Sequence, residues 1–172
     1  MFFHPLIANV RPSEFFWEGE CVLPSWRGFR KCDAFNQLLP GAAMSGLFPI
    51  LIDYPGDVNE ALPSPVQLEA IDFLTDQETQ IFSGIFDKLI SYYNDKMEAL
   101  GEPFHRIREA TQFKSLVGVN AIHIPDGELP YIGFELGALW NEEEGLGIMT
   151  CQGLVLDIGS AETGFELPET NI

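Results

Sequence analysis

The densest concentration of reactive side chains in the chain is Glu142-Glu143-Glu144. Three adjacent carboxylates repel one another and are relieved by an incoming cation. The run therefore reads either as a solvated turn or as a landing place for a Lys/Arg patch. As a metal site it is poor, because consecutive side chains on a loop rarely converge on one ion without further ligands. Glycosidase-type hydrolysis would need two carboxyls roughly 5 Å apart in a sugar-sized cleft, which the spacing does not establish. A thiol nucleophile is conceivable at Cys151, with His123 as its base, if their strands are neighbours. A Cys in a strand is more often a small buried apolar group. Cys21, Cys32 and Cys151 are odd in number and not closely paired, and His4, His105 and His123 are scattered. Neither a disulfide framework nor a zinc site is expected. No G-x-S-x-G, H-E-x-x-H, P-loop or G-x-G-x-x-G occurs. Gly145-Leu146-Gly147 is too short, and its surroundings too acidic, to cradle phosphate. The expectation is no catalytic residue, no metal and no cofactor.

The charge says more than the motifs do. In 172 residues, 9 Lys+Arg face 26 Asp+Glu, a net charge of −17. Such a field repels phosphate backbones and anionic lipid, so nucleic-acid and membrane partners are excluded. All nine basic residues lie at or before Lys114, against 16 acids in the same stretch; residues 115–172 hold ten acids and no Lys or Arg. Solubility alone needs no such polarity along the chain, which points to a basic partner. Met1–Pro12 has no basic n-region, apolar core or cleavage site of a signal peptide, so a cytoplasmic location is expected. No uncharged apolar run approaches bilayer length.

The elements that must position these groups form one domain over 1–172, of size enough for its own core. Phe15–Leu23 loosely alternates, with Glu18 and Glu20 on one side, and predicts a half-buried strand. Pro24–Gly46 has no period and reads as loop. Leu47–Asp53 predicts a strand that Pro49 pushes to a sheet edge or makes irregular. Ser64-Pro65-Val66-Gln67 is a capping box opening a short helix through Leu68, Ile71 and Leu74. Thr75-Asp76-Gln77-Glu78 is read as a second box, opening a long helix. Ile81, Phe82, Ile85, Phe86, Leu89, Ile90 and Tyr93 form its apolar stripe, and Gly101 and Pro103 end it. A partly helical connection, Pro103–Lys114, follows. Val117–Ile124 and Tyr131–Trp140 then read as strands, the second with Ile132, Phe134 and Leu136 inward and Tyr131, Gly133, Glu135 and Gly137 outward. Two further strands flank a Gln152-Gly153 hairpin loop. The fold class is α+β: an antiparallel sheet, with a C-terminal meander of about four strands plus N-terminal strands, against one long and one short helix.

Tyr131 to Phe134, Trp140, Glu143, Gly145 to Gly147 and Ile158-Gly159 resemble the pattern of an uncharacterised family of bacterial cytoplasmic proteins. Trp17–Gly19, Trp26–Phe29 and the helix start around Gln67 fit it too. Where that pattern has His before Gly-Leu-Gly, this chain has Glu144. Proteins of this size and composition are similar to immunity proteins of polymorphic or type VI secretion toxins. The resemblance implies a cytosolic antitoxin that covers a basic toxin's active site with carboxylates. The expected partner surface is Asp126, Glu128, Glu142, Glu143 and Glu144, with Trp140 as anchor. A carboxylate-dependent hydrolase or transferase, and a regulatory or structural binding module, are the alternatives.

Overall fold

In the computed structural model, residues 2–41 and 45–169 are described; Ala42, Ala43 and Met44, inside the segment read as loop, lie outside them. The helical layer is set by local chemistry. Helix α1 spans Pro65–Asp76. Ser64 Oγ accepts from Gln67 N at 3.2 Å while Gln67 Oε1 accepts from Ser64 N at 2.9 Å. The box thus satisfies two backbone donors at once. Gln67 is buried, and its Nε2 also donates to the carbonyls of Asp53 and Ile124, at 2.9 and 3.3 Å. One side chain caps the helix and ties it to two strand ends.

Helix α2 spans Glu78–Ala99, but the second capping box does not form. Thr75 Oγ1 instead donates back to the carbonyls of Ile71 and Asp72, so Thr75 stays inside the last turn of α1. A tertiary contact fixes the start of α2: Glu78 is buried and accepts from Ser25 N at 2.9 Å and Ser25 Oγ at 2.7 Å. The apolar stripe of α2 is buried as its period requires, through Ile81, Ile85, Phe86, Leu89 and Tyr93. Phe82 and Ile90 sit at its margins.

Among the described residues the sheet has eight strands: β1 (Ala8–Pro12), β2 (Phe16–Val22), β3 (Arg30–Lys31), β4 (Leu47–Asp53), β5 (Val117–Ile124), β6 (Tyr131–Ala138), β7 (Leu146–Cys151) and β8 (Leu154–Gly159). The order is β1-β2-β4-β5-β6-β7-β8, with β3 beside the start of β5. Strands β5 to β8 are the expected antiparallel meander, closed by a turn in which Gln152 and Gly153 both have positive φ. Strand β4 runs parallel to β5, with α1 and α2 as the crossover.

Of the two alternatives for Pro49, the irregular start holds and the edge does not: β4 is central, but its ladder to β5 starts only at Ile50↔Ile122. Pro49 therefore precedes that ladder, and its missing N–H breaks no rung there. Three other expectations need correction. The segment read as loop contains a 3-10 turn, Pro24–Trp26, and β3. Trp26 is fully buried and stacks on Phe134 at 5.6 Å, so tertiary packing orders a stretch with no period of its own. Tyr131, Gly133 and Gly137 do not face solvent; all three are buried. Nor is His123 beside Cys151, because β6 lies between β5 and β7.

The buried outward face has a covering. A Cβ at Gly133 would collide with the Gly164 carbonyl, one at Gly137 with the Asn36 carbonyl, and one at Gly147 with the Ser160 carbonyl. Two segments, 33–39 and the 3-10 turn Ala161–Gly164, thus lie directly on the backbone of β6 and β7. Helices cover the other face, with α1 against β5 and β6 and α2 against β8.

Candidate functional site

The acidic residues singled out in the sequence do not form one rim. Asp126 and Glu128 are on the β5–β6 turn, Glu142 to Glu144 on the β6–β7 turn, at opposite ends of β6. Eight residues of strand separate them, on the order of 25 Å. All five are exposed. The β6–β7 turn is held by both covering segments: Gln37 Nε2 donates to the Glu142 carbonyl at 3.1 Å and Ala161 N to the Glu144 carbonyl at 2.9 Å. The Glu144 carboxylate accepts from Asn141 Nδ2 at 3.2 Å. Trp140 is half-buried, 4.9 Å from the Tyr93 ring and 6.1 Å from Phe113. Its ring is largely used by the core, which leaves little of it for an anchor.

Around Asp126 the fold gathers acids that sequence reasoning missed. The parallel register Ile52↔Ile124 brings the carboxyl-terminal ends of β4 and β5 side by side. Asp53 and Asp126 follow those ends, and the β1–β2 hairpin adds Glu14 and Phe15. With Asp57 and Tyr54 they line a cleft of about 660 Å³ that no Lys or Arg among the described residues lines. Asp126 Oδ2 accepts from Gly56 N at 2.9 Å, which holds the 55–57 turn against the β5–β6 turn. Tyr54 OH donates to the Ser13 carbonyl at 2.7 Å and accepts from Ser13 N at 3.1 Å, pinning the hairpin. Burial pushes the Asp53 carboxyl above its ordinary value; nearby His123 and the Asp126 N–H pull it down, and the Asp126 and Asp57 charges push it up. Phe15 is 67% exposed at this rim. The arrangement offers carboxylates and an aromatic face to a cation. A usable signal was present: two acids, each closing an apolar strand run, Leu-Ile-Asp and Ile-Pro-Asp. Only the strand pairing shows that they meet.

A second polar group lies under the cover. His123 Nε2 is 2.9 Å from Glu135 Oε1, and Asn120 Nδ2 donates to Glu135 Oε2 at 2.8 Å and also to Asn36 Oδ1. This chain of contacts fastens segment 33–39 to β5 and β6. Burial pushes the Cys21 thiol up to about 12 and Cys32 up to about 11, and raises Cys151 as well, which disfavours the thiolate at neutral pH. Among the described residues, no group of three or more His, Cys, Asp and Glu side chains is placed to hold a metal ion. No described helix is long and apolar enough to cross a membrane.

These features define an α+β protein with an acidic cleft beside the ends of two parallel strands. Residues 44–165 match a family described as Domain of unknown function (DUF6985), and the chain belongs to that family. The match takes in β4 to β8 and both helices, and leaves out β1 to β3, including Glu14 and Phe15. No curated protein and no solved structure matches the chain.

Proposed function

We propose that this protein is a cytosolic binding protein for a basic protein partner, of the immunity type that neutralises a toxin. The observation that carries the reading is the cleft lined by Glu14, Asp53, Asp57 and Asp126, with exposed Phe15 at its rim. Carboxylates placed around a concavity attract Lys and Arg side chains over a distance and speed association. Phe15 then supplies the aromatic anchor that Trp140 cannot, since exposed aromatics dominate interface energetics. The lack of any Lys or Arg from residue 115 onward supports the same reading, because nothing on that part of the chain repels a basic surface. Glu142 to Glu144, at the far end of β6, form a separate acidic patch within the same field.

The test is capture of a basic protein from the native host, followed by its binding to wild type, Asp57→Lys/Asp126→Lys and Glu142→Lys/Glu143→Lys. The expected result is a loss of at least a hundredfold in affinity for the first pair, about 3 kcal/mol. The second pair should slow association several-fold and leave dissociation unchanged. Equal affinity for wild type and the first pair would overturn the assignment of the cleft.

A further inference from the structure

We propose that a second concavity, over the uncovered face of β1, β2, β4 and β5, binds a small aliphatic amine. An interruption in the sheet opens it. Strand β3 pairs with β5 at Gly118 and Val119, and β4 pairs with it from Ile122 onward. Asn120 and Ala121 lie between, without a strand partner on that side. A bulge falls at the same place: Val117 and Val119, then Ile122 and Ile124, all belong to the core, so the alternation shifts by one at Asn120. The result is a cavity of about 540 Å³, in the size range of small-molecule sites.

Its lining is bipartite. Glu18 and Glu20 stand two apart on β2, so they share one face, their Cα atoms about 6.6 Å apart. A four-carbon diamine has its two nitrogens about that far apart, which makes it the length of probe suited to this pair of acids. Arg11 and Asn9 line the cavity too, and among the described residues each engages one carboxylate oxygen: Arg11 Nε donates to Glu18 Oε2 at 2.8 Å and Asn9 Nδ2 to Glu20 Oε2 at 2.6 Å. Opposite them in register, Leu51 faces Glu18 and Pro49 faces Glu20, an apolar floor beside the two charges. Carboxylates spaced along an apolar floor recognise ammonium groups joined by methylenes. The Arg11 side chain is 77% exposed, and water screens a pair of this kind so strongly that an incoming ammonium can displace it. The −17 field concentrates such cations and excludes anions.

Putrescine is the probe, titrated into the full chain at 150 mM salt and followed by amide chemical shifts and calorimetry. The expected result is saturable binding with Kd at or below ~1 mM, with shifts confined to residues 9–20, 49–51 and 120–121. Glu20→Gln should weaken it at least tenfold, and Arg11→Ala should tighten it about threefold by freeing Glu18. Glu142→Gln/Glu143→Gln, which removes charge elsewhere, should change it less than twofold. 1,4-Butanediol and succinate should not bind. Shifts spread over the acidic surface, or equal weakening by the distal pair, would reduce the effect to counterion condensation and overturn the site. Binding of N-acetyl-lysine methylamide as tight as putrescine would overturn the free-amine assignment in favour of a protein side chain. Unchanged melting temperatures for the variants separate loss of binding from loss of fold.

Discussion

The two halves of the sheet share one helical layer and differ on the opposite face. Over β6 and β7 that face is roofed by segments 33–39 and 161–164, which rest on Gly133, Gly137 and Gly147. Over β1, β2 and β4 it is open, and carries Glu18, Glu20, Pro49 and Leu51 around a cavity. The difference teaches what a glycine at alternate strand positions means. A strand that alternates large apolar residues with polar ones has a wet second face. One that alternates large apolar residues with glycine has a second face against which another backbone packs. The roofed half is accordingly the structural half, and the open half is free to bind.

The largest expected effect breaks the roof. Gly133→Ala would set a methyl group against the Gly164 carbonyl, a backbone atom that cannot rotate away. Overpacking of this kind costs about 3 kcal/mol here, an expected fall in melting temperature of about 6–12 °C by calorimetry. Leu51→Ala, half-buried on the open half of the same face, should cost under ~1 kcal/mol. Equal losses at the two positions would erase the distinction between the halves. Asn120→Ala comes next. It removes the donor to Glu135 and Asn36 and leaves partly buried acceptors unpaired, at about 1–3 kcal/mol in urea unfolding. Asn9→Gly, which removes an exposed contact to Glu20 at a position whose φ of 55° glycine tolerates, should stay within ~0.5 kcal/mol.

How far the sequence discloses this division depends on the range of the interactions. Ser64 and Gln67 announce α1 because a capping box is complete within four residues. The stripe Ile81 to Tyr93 announces α2 because helical period is local, and Gln152-Gly153 announces a hairpin because positive φ at both positions is a property of the turn. Thr75 misleads, since its hydroxyl had a nearer acceptor in the helix it ends. Pro49 leaves an edge strand and an irregular start as alternatives, and only the register with β5 decides between them. Of the predicted partner surface, Asp126 is in the cleft, while Glu142 to Glu144 are a strand length away. Glu14, Asp53 and Asp57 meet Asp126 only through the parallel pairing of two strands some 65 residues apart in the chain. That pairing leaves no periodic trace.

Acid titration sharpens the comparison at the cleft. Burial holds the Asp53 carboxyl above its unfolded value, so between those two values the folded chain keeps a proton that the unfolded chain has released. Stability contributed by this group therefore falls as pH rises through that window, and ionised Asp53 is a net cost at neutral pH. Asp53→Asn should raise the melting temperature by about 1–2 °C at pH 7, with the gain vanishing below about pH 4. A gain that persists unchanged into acid would place its cause outside Asp53 ionisation.

The smallest effect expected is at the Arg11–Glu18 pair, and its smallness is what the open half requires. The guanidinium sits on the edge strand β1, and its side chain is 77% exposed against 31% for the carboxylate. Water screens such a pair, and ordering two flexible side chains offsets most of the attraction. A double-mutant cycle of Arg11→Ala and Glu18→Gln should give a coupling of about 0.3 kcal/mol, falling further as salt rises from about 0.05 to about 0.5 M. A coupling above about 1.5 kcal/mol would make the pair a structural clasp. An ammonium could not then displace it, and the open half would be tied into the fold as firmly as the roofed one.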